Sequence, residues 1–268
     1  MGSRWRFRTT RLATGPQLHY AEQGNPAGET ILFLHGWPDS WFSYSRVLPL
    51  LPPRYYAVAV DQRGFGDSER PDAGYGIDDD LAADAAAFLD AVGVPRATVV
   101  GHSMGSFVAR RAAERHPERV ARLVLIGSAL RPVNDVTREV QATVRTLADP
   151  VPAAFAREFQ AGTIHVPVPA VFFDQLIAES LKLPARLWRA VLEGLLTFDD
   201  TADLGRIAAP TLILWGERDA LFPRDDQPRL GAAIPGARLI VYPDTGHCPN
   251  WERPERVAAE LVAFMDET

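Results

Sequence analysis

Four stretches of this chain are apolar at almost every position: Ile31 to Leu34, Tyr55 to Val60, Ala97 to Val100 and Val120 to Ile126. A fifth runs from Pro210 to Gly216. A strand buried on one face alternates apolar and polar residues, whereas a strand without alternation is covered on both faces. Segments with helical character separate these runs: Phe42 to Leu51, Ile77 to Val92 with Asp78 to Asp80 near its positive end, and a stretch running to His116-Pro117. Strands of this kind alternating with helices predict an α/β fold, a mostly parallel sheet with helices on both faces.

Two further runs, Trp5 to Thr9 and Leu18 to Glu22, do alternate, and Thr14-Gly15-Pro16 between them is a turn signal; they predict an opening antiparallel hairpin. With Ala237 to Tyr242 near the end of the chain, the count reaches eight strands. The rhythm breaks after Ser128. Residues 131–203 hold Ala-, Leu- and Phe-rich segments punctuated by Pro150, Pro152, Pro167, Pro169 and Pro184, with no strand-like run. We read 131–203 as an inserted helical cap and 1–130 with 204–268 as the core domain.

Composition narrows the function. The 268 residues are 47% apolar and 23% charged, the balance of a soluble protein, and no apolar run approaches membrane-spanning length. The opening Met1 to Arg8 has no apolar region of a secretory signal behind it, and Arg6 does not fit a myristoylation motif, so the expectation is a cytoplasmic protein without a membrane partner. A net charge of −6 with dispersed arginines offers no footprint for nucleic acid. Cys248 is alone, which excludes an internal disulfide or a cysteine-based zinc site, and the six histidines lack a zinc-protease spacing; no metal or cofactor is expected.

In an open parallel sheet ligands are met at the carboxyl ends of the strands. His35-Gly36-Trp37, Ser103, Asp219 and His247 all follow such ends. Ser103 lies in Gly101-His102-Ser103-Met104-Gly105, between a strand and a helix, and small residues two before and two after let the turn be tight. A serine hydroxyl needs a base to become nucleophilic; His247 in Asp244-Thr245-Gly246-His247 can serve, and Asp219 can fix its tautomer. Glu217, Asp225, Asp226 and Asp244 are neighbouring alternatives for that carboxylate.

The order Ser, Asp, His resembles the α/β-hydrolase superfamily. The motifs that carry the likeness are His35-Gly36-Trp37-Pro38, Asp61-Gln62-Arg63-Gly64-Phe65-Gly66-Asp67-Ser68, Gly101 to Gly105, Gly216-Glu217-Arg218-Asp219 and Gly246-His247. The resemblance implies Ser103 as nucleophile, His247 as base and Asp219 as acid, with an oxyanion hole from the backbone N–H groups of Trp37 and Met104. His-Gly-Trp-Pro also looks like epoxide hydrolases and haloalkane dehalogenases. Those carry an aspartate where Ser103 stands, and epoxide opening uses cap tyrosines, of which 131–203 has none. The serine-using relatives remain: esterases, enol-lactone hydrolases, C–C hydrolases and cofactor-free haloperoxidases that also act as perhydrolases.

The expected activity is hydrolysis of small to medium, mainly apolar esters or lactones. Acyl transfer or perhydrolysis, C–C hydrolysis and a slow-turnover receptor are the alternatives, and the sequence leaves the oligomeric state open. Phe159, Phe172, Trp188 and Leu221 are expected in the substrate pocket. His35 and His102 are read as loop braces, His19, His116 and His165 as surface or turn residues, Asp61 to Ser68 as a charged, glycine-rich turn that braces the site against Arg63 rather than a ligand loop, and Cys248 as a small buried residue.

Overall fold

The apolar runs assemble into a single sheet in the computed structural model, which describes residues 5–268. The strands are β1 (Arg6–Arg11), β2 (Gln17–Gly24), β3 (Thr30–Leu34), β4 (Tyr56–Val60), β5 (Ala97–His102), β6 (Val120–Ile126), β7 (Thr211–Gly216) and β8 (Arg238–Tyr242), in the order β1-β2-β4-β3-β5-β6-β7-β8. β2 runs antiparallel to both β1 and β4, and from β4 to β8 all pairings are parallel.

Side chains alternate between the two faces, so a strand apolar throughout feeds two cores at once. Leu32 and Leu34 of β3, Val58 and Val60 of β4, and Leu123 and Leu125 of β6 join one cluster. Their neighbours Ile31, Phe33, Ala57, Ala59, Val124 and Ile126 join the other. The first cluster is covered by α1 (Ala82–Ala91), α2 (Met104–Arg115) and residues between β6 and β7; the second is covered through Val257, Leu261 and Phe264 of the C-terminal helix. The result is an α/β architecture, a mostly parallel eight-stranded sheet with helices around it, as the resemblance implies.

Four helices lie between β6 and β7: α3 (Asp135–Val144), α4 (Ala153–Gly162), α5 (Ala170–Ser180) and α6 (Ala185–Leu196). The prolines that break the strand rhythm start these helices. Pro152, Pro169 and Pro184 are the capping residues of α4, α5 and α6, where a missing N–H costs no helical bond. Asn134 opens α3 with a reciprocal capping box to Thr137. Where the chain returns toward the core, the fully buried Arg110 of α2 pairs with Asp200 at 2.6 and 2.9 Å. The remaining helices are α7 (Asp226–Ala233), α8 (Pro249–Glu252) and α9 (Pro254–Glu267). No described helix is long and apolar enough to cross a membrane.

Two expected helices differ. Phe42 to Leu51 is not one helix but two short 3₁₀ turns, Trp41–Tyr44 and Leu48–Leu50. Ser40 caps the first through Phe42 N, Pro49 removes a donor from the second, and Leu51 is already extended ahead of Pro52-Pro53. The helix expected from Ile77 begins with a wide π turn, Ile77–Leu81, and becomes α-helical only at Ala82. There the Asp80 carboxylate accepts from Gly76 N at 2.9 Å, so the acidic run holds the turn that leads into α1.

Candidate active site

The register of the central strands brings the candidate residues to one edge. Leu34 pairs with Gly101, His102 with Ile126, and Gly216 with Tyr242, so the segments after β3, β5, β6, β7 and β8 leave the sheet together. Ser103 has φ 51° and ψ −120°, one of two non-glycine residues at positive φ among those described. Such a conformation costs on the order of 1–3 kcal/mol and survives only where the surroundings impose it. Here Ser103 N donates to Ile126 O at 2.9 Å, and Ser106 Oγ donates to Ser103 O at 2.6 Å. A Cβ at Gly101 would lie 2.1 Å from Gly105 O, and one at Gly105 would lie 2.1 Å from Leu34 O. Only glycine lets strand, turn and helix approach this closely.

His247 and Asp219 meet from different loops. His247 Nδ1 lies 2.8 Å from Asp219 Oδ2, and both side chains are almost wholly buried. The other carboxylate oxygen of Asp219 accepts from Leu221 N at 2.8 Å and Phe222 N at 3.0 Å. Glu217 and Asp244 instead pair with Arg224 and Arg218 at the surface. His247 Nε2 is buried and has no hydrogen-bond partner among the described residues. The imidazole and Ser103 converge on the end of β6: Ser103 N bonds Ile126 O, and a Cβ at the next residue, Gly127, would lie 3.2 Å from the His247 ring. The peptide of His247 is held on both sides, its N–H donating to Thr163 O at 2.8 Å and its C=O facing His102 Nε2 at 3.2 Å.

The amides of Trp37 and Met104 make no hydrogen bond among the described residues. They follow, respectively, the His-Gly turn after β3 and Ser103 itself at the start of α2, whose positive end faces this turn. A Cβ at Gly36 would stand 3.0 Å from Ser103 Cβ, which fixes how closely the two loops approach. His35 is a brace, with Nδ1 toward Gly36 O at 2.8 Å and Nε2 accepting from Gln62 N at 3.1 Å; burial pushes its pKa down to about 4, so it stays neutral. Burial, aided by the neighbouring His247, also holds His102 well below the usual imidazole range.

A narrow pocket with a volume of about 30 Å³ lies beside Ser103, lined by Trp37, Thr137, Val140, Phe159, Leu192, Leu195, Leu196, Leu221 and Phe222. Its walls are almost wholly apolar, and no charged side chain lines it. A wider hollow between α3 and α4 shares Val140, Phe159 and Leu221 with it and carries Glu139 and Glu158. The shared residues Val140, Phe159 and Leu221 thus stand between the surface hollow and the pocket beside Ser103.

The match to known proteins agrees with this fold. The family described as the alpha/beta hydrolase fold matches residues 29–254. The chain belongs to the alpha/beta hydrolase family. It is 31% identical to haloalkane dehalogenase 2 of Mycobacterium tuberculosis over 97% of this chain and 93% of that protein. It is 30% identical to a non-heme chloroperoxidase of Streptomyces lividans, over 96% and 99% of the two chains. The structure of a thermophilic esterase from Thermogutta terrifontis superposes on this hydrolase with a TM-score of 0.83 at 25% identity, covering 99% of each chain. A dehalogenase, a chloroperoxidase, a 2-hydroxy-6-oxononadienedioate/2-hydroxy-6-oxononatrienedioate hydrolase and an esterase thus all stand among the proteins to which this chain is similar.

Several expected positions differ. Trp188 does not line the pocket beside Ser103; fully buried, it packs edge-on against Trp37, Phe155 and Phe159 one layer behind it. Phe172 also lies away from it, stacked on Phe42 and set against Trp251 where cap meets core. His19 is not an ordinary surface residue, because its Nδ1 sits 2.7 Å from the buried Asp61 carboxylate, which also accepts from Trp41 N and Asp67 N. His19, Asp61 and Asp67 could crowd around a cation, yet these donors already occupy both Asp61 oxygens, and Asp67 pairs with Lys182. Loop 61–68 therefore does not brace the site against Arg63: Asp61 holds the loop, and Arg63 turns away to Asp84, at 2.5 and 2.6 Å, and to Asp80.

Sequence reasoning missed a polar seam beneath the site. Asp39 is fully buried, and burial pushes its pKa up to about 7 against the opposing pull of Gln160, His247 and Ser43. Gln160 Nε2 donates to Asp39 Oδ1 at 2.8 Å and to Ser180 Oγ at 3.0 Å. Glu252 accepts from Gly246 N, His165 N and Val166 N, clamping the loop before His247 to the cap. Asp39 follows the His-Gly-Trp-Pro motif directly, which is the one signal that could have singled it out.

Proposed function

We propose that this hydrolase cleaves carboxylic esters or lactones of small to medium, mainly apolar substrates through an acyl-serine intermediate. The observation that carries the reading is the buried His247–Asp219 pair. One imidazole nitrogen is fixed by a carboxylate, and the other is left without a partner near a serine held at positive φ. In this reading His247 Nε2 takes the Ser103 proton as Oγ attacks the ester carbonyl, and then delivers it to the departing alkoxide. Asp219 stabilises the imidazolium, and the uncommitted amides of Trp37 and Met104 receive the oxyanion. Water activated by His247 releases the acid. The apolar pocket favours an uncharged acyl or alcohol arm.

Resemblance to a dehalogenase does not carry its activity here. Displacement of halide by Ser103 would leave an alkyl ether, which has no carbonyl for water to attack. Acyl transfer to hydrogen peroxide is the second reading, favoured by the likeness to a chloroperoxidase, and it needs only that peroxide compete with water at the same acyl-serine.

Steady-state hydrolysis of p-nitrophenyl esters from acetate to octanoate tests the reading. Ser103→Ala is expected to lower turnover by roughly a thousandfold or more while leaving the fold intact. Equal rates in variant and wild type would refute the serine mechanism. The peracid-to-acid ratio in mixed peroxide and water separates the two readings.

A further inference from the structure

The cap touches the reaction centre through two adjacent residues of α4 that point to different tasks. Phe159 lines the pocket beside Ser103, and its ring lies 5.1 Å from the ring of Trp37, whose amide is one of the two proposed oxyanion donors. Gln160, the next residue, is buried, and both hydrogens of its amide nitrogen are used: one bonds Asp39 Oδ1, the other Ser180 Oγ of α5. Asp39 stands two residues beyond Trp37, and its N–H donates to Gly36 O at 3.0 Å, closing the turn that presents the Trp37 amide. At the end of the same helix Thr163 Oγ1 donates to Gln160 O, and Thr163 O accepts the N–H of His247. A single helix end therefore holds the oxyanion turn by a side chain and the base by a carbonyl.

We infer that α4 couples pocket occupancy to the oxyanion turn: an apolar arm packing on Phe159 seats the helix, and Gln160, acting through Asp39, sets the Trp37 amide. Gln160 and Asp39 are positioning residues in this scheme, since neither lines the pocket. The inference rests on the ester-hydrolase reading and adds to it a way to use binding energy. Energy gained remote from the reacting carbonyl is expressed in the rate and not only in affinity. The substrates so favoured are esters whose acyl arm is long enough to reach Phe159.

The test is the acetate, butyrate and hexanoate series of p-nitrophenyl esters on wild type, Gln160→Leu, Asp39→Leu and the double variant, with kcat and KM separated. In wild type kcat is expected to rise with acyl length, by about tenfold from acetate to hexanoate, the scale on which small misplacements act. In either single variant KM should still fall along the series while kcat becomes nearly level. The double variant should be no worse than the poorer single one, because both break the same contact. A wild-type kcat that does not rise with length overturns the inference, as does a variant that lowers kcat by one factor for every ester, which is the mark of a merely structural role. Should Gln160→Leu fail to fold, Asp39→Leu, which keeps the branched shape but removes the acceptor of the Gln160 hydrogen bond, decides alone. Absence of any Ser103-dependent hydrolysis would instead defeat the ester-hydrolase reading itself, a separate and recognisable outcome.

Discussion

The turn around Ser103 and the cap above it are held by opposite means. At the turn, backbone meets backbone: β5 runs into α2 with glycines where any Cβ would strike a carbonyl, and sheet register sets the neighbours. In the cap, backbone bonding is local to each helix except where Thr163 O accepts from His247 N, and position otherwise comes from packed side chains plus the side-chain contacts of Gln160 and Glu252. The first arrangement tolerates almost no variation, whereas the second can be repacked. A superfamily can thus keep one reaction centre under many pockets.

Asp219→Asn probes the core side most severely. With the wrong imidazole tautomer favoured, kcat is expected to fall roughly a thousandfold to ten-thousandfold with KM little changed, as measured on a p-nitrophenyl ester. A modest loss would mean that another carboxylate serves His247. Next in size, Gly105→Ala should destabilise the fold by about 3 kcal/mol in urea titration, since the added methyl meets the Leu34 carbonyl. A variant of unchanged stability would show that the turn is as adaptable as the cap, which erases the contrast drawn above.

Asp39→Asn probes the seam between the two regions and should act in the other direction. Folded Asp39 keeps its proton up to about pH 7, whereas an unfolded aspartate releases it near its ordinary value of 3.8. Between those values the folded state binds more protons, so wild-type stability falls as pH rises and levels off above about 7. The variant lacks that slope. Its advantage in denaturant midpoint should grow from pH 4 to 7 and reach on the order of 2–4 kcal/mol at most. Parallel stability curves would show that Gln160, Ser43, His102 and His247 compensate the buried charge fully. A more stable but slower variant is the expected pattern for a residue kept for positioning.

These contrasts also explain what the sequence revealed. The strands were legible because burial on both faces leaves continuous apolar runs, and the polar residues at their ends stood out against that background. Ser103, Asp219 and His247 each follow such an end. In the cap an apolar residue on a helix has equal claim to core or pocket: Phe159 lines the pocket beside Ser103, while Trp188, on a neighbouring helix, packs behind it. Gln160 and Glu252 gave no signal, and Asp39 gave only its place after His-Gly-Trp-Pro, since an isolated polar residue in a loop or on a helix is ordinarily solvated, and only the fold buries these three. The segment Phe42 to Leu51 departs from the expected helix: its apolar spacing suits one helix, while the Ser40 cap and Pro49 favour two short turns.

Cys248 follows His247 directly and is shut between Thr163 and Trp251, fully buried, with burial pushing its thiol far above the usual range. It is neither a nucleophile nor a ready target for oxidants while the seam is closed. Because no other cysteine competes for a reagent, its chemical silence is a property of the closed molecule as a whole. The hydrolase therefore carries a native tell-tale, dark while cap and core stay together and exposed the moment they part.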